Sequence, residues 1–115
     1  MPRASDADKD LFRELVAHLP GVHVRPMFAN LGAFVGGWMF AALIGDTIGI
    51  KLRDDALRDE VRALPGVVGF GPGPKPLRDY VGLPVGHPLE EITEWIEVAY
   101  FEARERAPKN ADAEH

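Results

Sequence analysis

With no cysteine in the chain, imidazole metal binding or hydroxyl nucleophilic catalysis would have to be built from four histidines, Ser5, Thr47 and Thr93. His18 and His23 are five residues apart, which fits neither the i, i+3 nor the i, i+4 spacing of a helical metal site. Pro20-Gly21 breaks the chain between them, while His87 and His115 lie far off in sequence. Ser5, the only serine, stands at the very start, and Gly-x-Ser-x-Gly is absent, so a Ser–His–Asp nucleophile has no material. The run Gly66-Val67-Val68-Gly69-Phe70-Gly71-Pro72-Gly73-Pro74-Lys75 has the glycine content of a phosphate loop. It lacks the chemistry: a phosphate cradle uses successive backbone N–H donors at a helix start, and Pro72, Pro74 and Pro76 have none. A surface loop presenting Lys75 and Phe70 is the expectation. No metal, cofactor or catalytic residue is expected.

The carboxylates read as helix furniture. Asp54 and Asp55 suit a helix cap, and Glu90, Glu91, Glu94 and Glu97 suit the front half of a last helix, where acids complement the dipole. The basic residues are more suggestive. Arg25, Lys51, Arg53, Lys75 and Arg78 fall on or beside predicted strands. Two readings stay open for them: a solvated strand face paired with nearby acids, or a local positive patch on a negative protein.

The elements that must position these residues follow from periodicity. Leu11, Phe12, Leu15, Val16 and Leu19 recur at helical spacing after Ser5 or Asp6, and Pro20-Gly21 ends that helix. Val22 to Arg25 alternates as a short strand. Gly32 to Val35 enters the Gly36-Gly37 turn, and the apolar run Trp38–Ile44 follows as a central strand. After Gly45-Asp46, Ile48, Ile50 and Leu52 alternate with Thr47, Gly49, Lys51 and Arg53. A second helix buries Leu57, Val61 and Leu64 and leaves Arg58 and Arg62 wet. Short strands are expected at Val67–Phe70 and Leu77–Leu83. The last helix starts near Pro88, with Leu89, Ile92, Ile96, Ala99 and Ala103 on one face, beside Trp95 and Tyr100. Tight turns rather than helical crossovers join the strands, so the fold class is α+β: an antiparallel meander flanked by helices. A flexible start over 1–7, one domain over 8–106 and a disordered tail over 107–115 are expected.

The 115 residues are enough for one domain with a real core. No apolar run approaches the roughly 20 residues of a membrane span, so a cytoplasmic protein with no membrane partner is expected. The net charge of -5 repels phosphate backbones, so weak or no binding to DNA alone is expected.

The segment Arg25-Pro26-Met27-Phe28-Ala29-Asn30-Leu31-Gly32-Ala33-Phe34-Val35-Gly36-Gly37-Trp38-Met39-Phe40-Ala41 resembles the TfoX N-terminal domain family of competence and transcription regulators. In that family an Arg-x-Met-Phe-Gly-Gly-x-Gly segment precedes a Phe, a short Gly turn and Met-Phe-Ala. Arg25, Met27, Phe28, Gly32, Phe34, Gly37, Met39, Phe40 and Ala41 keep that order and spacing, whereas Ala29-Asn30 replaces the Gly pair. Ile50-Lys51 with Asp54 is similar to the family's Leu-Tyr-Leu-Lys strand and the acid after it. Pro65-Gly66, Phe70, Pro76, Tyr80, Pro84 and Trp95 also fall where the family tends to keep such residues, so the resemblance spans residues 8–105.

The resemblance implies a secretion-chaperone-like α+β fold and a non-enzymatic regulatory module that binds a protein partner such as a transcription factor. The expected surface comprises the segment from Met27 to Gly37, including Phe28, with Arg25, Lys51, Arg53, Lys75 and Arg78 from the strands and the Gly-Pro loop. A homodimer is a second association the sequence leaves open. The alternative is a small-ligand or enzymatic domain in which Arg25, Lys51 and Arg78 hold an anion over Phe28, Phe34 and Tyr80.

Overall fold

The computed structural model describes residues 2–27 and 29–106. The sequence alternation becomes a five-stranded antiparallel sheet in the order β1-β2-β3-β4-β5. Its strands are β1 (Val22–Met27), β2 (Asn30–Val35), β3 (Trp38–Ile44), β4 (Thr47–Lys51) and β5 (Tyr80–Pro84). Among the described residues three helices complete it: α1 (Asp6–Val16), α2 (Asp55–Arg62) and α3 (Leu89–Arg106). The α+β reading of the sequence holds, with one sheet and three helices.

Local chemistry explains the element ends. The Ser5 hydroxyl accepts a hydrogen bond from the Asp8 amide at the start of α1, and the Asp54 carboxylate accepts one from the Leu57 amide at the start of α2. Gly36 and Gly37 both have positive φ, 57° and 83°, which a two-residue hairpin turn between right-twisted strands demands. Ile48, Ile50 and Leu52 are fully buried, as their alternation predicts.

All three helices feed one hydrophobic core on one face of the sheet. Phe12 and Val16 of α1, Val61 of α2, and Ile92, Ile96 and Tyr100 of α3 meet Leu31, Ala33, Leu43, Ile48, Ile50, Val81 and Leu83 there. A bulge in β3 helps: the register with β2 shifts between Ala33 and Phe34, so Phe40 is the extra residue. Its ring sits edge-on to Tyr100 at 5.6 Å, inside this core. The Tyr100 hydroxyl donates to the Pro20 carbonyl, which satisfies its polar end.

Several expectations are corrected. Arg58 is only 5% exposed rather than wet. It donates to the Leu52 carbonyl at 2.8 Å, pairs with Asp55 and lies 3.7 Å from Asp79, so it ties α2 to the residue that follows β4 and the one that precedes β5. Val67–Phe70 is not a strand; Val68 alone bridges to Gly82. The last strand starts at Tyr80 rather than Leu77, because the Leu77 amide turns back to the Phe70 carbonyl. Leu89 is exposed at the head of α3 instead of sharing its buried face.

The segment before α1, expected to be a flexible lead-in, packs against the sheet end. Asn30 Oδ1 accepts from the amides of Ala4 and Gly45, and its Nδ2 donates to the Pro2 carbonyl. One buried amide therefore joins the N-terminal segment to the β3–β4 turn. The expected disordered tail over 107–115 lies outside the described residues, as does Phe28. Among the described residues no helix is long and apolar enough to cross a membrane.

Candidate functional site

Among the described residues no helix packs on the second face of the sheet, so its surface is set by strand side chains and by the loop between α2 and β5. The cross-strand register aligns Arg25, Gly32, Ala42, Gly49 and Gly82 in one row across all five strands. Small residues along this row leave the face shallow, and the Gly-Pro loop folds into the hollow. Phe70 lies over Gly49, and an added Cβ at Gly82 would meet the Gly69 carbonyl and Val68 at 3.0 Å. The Phe70 ring stacks on Tyr80 at 5.6 Å and 30°. Phe70 is therefore 4% exposed, buried by the loop rather than presented by it, which corrects the sequence expectation.

A second, smaller apolar cluster results, of Ala42, Phe70 and Tyr80 with Met27, Met39 and Ile44 packed against it. Beside Phe70 it opens into an apolar pocket of about 140 Å³, lined by Met27, Met39, Ala42, Ile44, Phe70, Pro72 and Leu77. These side chains make van der Waals contact; none of them transfers a proton or attacks a carbonyl. Tyr80, next to the pocket, has its phenol pushed up to about 12 by burial, with the Asp79 carboxylate adding to the effect.

The sequence-predicted residues fall into separate groups. Met27 lines the pocket. Arg25 stacks its guanidinium 4.9 Å from the Phe34 ring centre, and Lys51 holds its ammonium 6.0 Å from that of Tyr80. Both lie on the open face, but β1 and β4 are three strand spacings apart, roughly 14 Å at about 4.8 Å per spacing. Lys75 and Arg78 are exposed in the loop that supplies Pro72 and Leu77. Arg53 stands apart, beyond the end of β4, where its amide donates to Glu102 of α3. Phe28 lies outside the described residues.

Sequence reasoning missed Ile44, Leu77 and Phe70 as members of one pocket. The only signal was the row of small residues Gly32, Ala42, Gly49 and Gly82, which are spread over four strands and become one feature only once the register is known.

The histidines go to different places: His18 is 3.3 Å from Glu97, and His87 pairs with Glu91. Among the described residues no three metal-ligating side chains gather. Compared with known proteins, the chain matches no family model, no curated protein and no solved structure.

Proposed function

We propose that this chain is a non-enzymatic regulatory module that binds a protein partner through the open face of its sheet. The size and lining of the pocket carry this reading. Sites for small molecules typically enclose roughly 300–1,000 Å³ and place a few polar groups at fixed points. A pocket of about 140 Å³ with a purely apolar lining is instead the size of a cavity that takes one benzene-sized group. That suits a single side chain from a partner. The rival reading needs Arg25, Lys51 and Arg78 to converge on one anion, and the roughly 14 Å between the strands of Arg25 and Lys51 works against it.

The resemblance of Arg25–Ala41 to the TfoX N-terminal family gives the proposal its finer form: a secretion-chaperone-like module, acting in the cytoplasm on a transcription factor. The test is affinity capture from lysate with two baits, the wild-type chain and Leu77→Glu, identifying retained proteins and small molecules alike. A protein held by the wild type and lost by the variant supports the reading. A retained metabolite, with no protein that distinguishes the baits, overturns it.

A further inference from the structure

We propose that the partner of this face is an acidic protein segment carrying one apolar anchor residue, which seats between Met39, Ile44, Phe70 and Leu77. The inference rests on the reading of the open face as a protein-binding surface and specifies the chemistry of what binds there.

Charge complementarity selects the occupant. The chain as a whole is negative, with a net charge of -5, yet the open face and its loop carry Arg25, Lys51, Lys75 and Arg78. Among the described residues none of these four has a carboxylate within ion-pair distance, whereas Arg13 and Arg58 each do. Of the acids near the strand ends, Asp79 lies 3.7 Å from Arg58, while Asp46 accepts a hydrogen bond from the Thr47 hydroxyl. Arg25 and Lys51 are also held over aromatic rings, so less rotamer freedom is lost when they meet an anion.

The anchor follows from the pocket. Met27 and Met39 in its wall adapt to side chains of different shape, and the volume admits one Leu, Ile, Met or Phe. A nucleic acid would use the cations but not the pocket. A single-stranded nucleic acid would also need exposed rings for stacking, and Phe70 and Tyr80 are buried.

The experiment uses the full chain with isotope-labelled Met and Ile methyl groups and three dodecapeptides. One is built of Glu, Ser and Gly around a single central Leu; the second replaces that Leu by Ser; the third replaces every Glu by Lys. The acidic Leu peptide is expected to bind at least about 10-fold more tightly than either counterpart, and more weakly as salt rises. It should shift the methyl signals of Met27, Met39 and Ile44 but not those of Ile48 and Ile50, which face the helices. Leu77→Glu, at a half-exposed position, should weaken it at least about 10-fold without changing the melting temperature.

Equal or tighter binding of the Lys peptide, indifference to Leu77→Glu, or displacement by a single-stranded oligonucleotide overturns the inference. If the Lys peptide still shifts the Met27, Met39 and Ile44 methyls, the face remains a protein-binding surface and only the acidic partner is wrong. If no peptide shifts them, both readings fall.

Discussion

The ring of Phe70 rests on the backbone of Gly49 so closely that a Cβ at residue 49 would stand 2.5 Å from its Cγ and nearer still to two ring-edge carbons. Only glycine allows this approach, and the approach fixes the loop that walls the pocket. Gly49→Ala should therefore destabilise the protein by about 1–3 kcal/mol, the usual range for forcing an extra group into a packed site. In a Phe70→Ala background the same substitution should cost little. Denaturant unfolding of the double-mutant cycle checks this; additive effects would mean that the two residues do not meet.

Ala29, in the β1–β2 turn, has φ 65°, the left-handed region that an L side chain enters at a cost of about 1–2 kcal/mol. Glycine removes that strain but enlarges the unfolded ensemble by about 0.4–1 kcal/mol. Ala29→Gly should thus stabilise by about 0.5–1 kcal/mol, read as a higher urea midpoint at unchanged slope. A lower midpoint would show that the turn is not strained.

The two tryptophans separate core from surface. Trp95 is 8% exposed and packs in the helix-side core, so Trp95→Ala should lose about 3–5 kcal/mol without a specific effect on assembly. Trp38, at the start of β3, is 38% exposed, and Trp38→Ala should stay within about 1 kcal/mol of wild type. Unfolding curves and sedimentation together test the pair. A dimer lost with Trp38→Ala would identify that residue as an interface anchor.

Tyr80 makes stability fall in alkali. Its phenol has an ordinary pKa of 10.0 and is pushed up to about 12 in the folded protein, first by burial and then by Asp79. Between those values the unfolded chain gives up a proton that the folded chain retains, so the folded state becomes relatively less stable as pH rises. The contribution is complete below pH 10.0 and declines through the window up to about 12. Tyr80→Phe should flatten that decline in unfolding curves taken across the window. An unchanged slope would show that Tyr80 titrates normally.

Much of this fold is legible in the sequence because its signals are local. The alternation of Ile48, Ile50 and Leu52, the Gly36-Gly37 turn and the Asp54 cap each need only a few neighbouring residues to be read. The features that define the pocket are not local. Phe70 sits among glycines and prolines with no periodicity, and its partner Gly49 is on β4, across the whole of α2. Arg58 looks like a solvated helix residue until the fold brings the Leu52 carbonyl and Asp79 to it. The shortening of β5 has the same origin, since the Leu77 amide is diverted to the Phe70 carbonyl. The basic residues Arg25 and Lys51 stand out in the sequence, but their separation appears only with the strand order.

The open face is tested most directly by photo-crosslinking from two exposed apolar positions on opposite sides of the molecule. Leu77 borders the pocket, and Phe101, 54% exposed, lies on α3 behind the other face of the sheet. A photoreactive phenylalanine placed at each position in turn, in otherwise native full-length protein, is irradiated in lysate. A discrete protein adduct should form from position 77 and none from position 101. An adduct from position 101 alone, or equal adducts from both, would contradict the assignment of function to the open face.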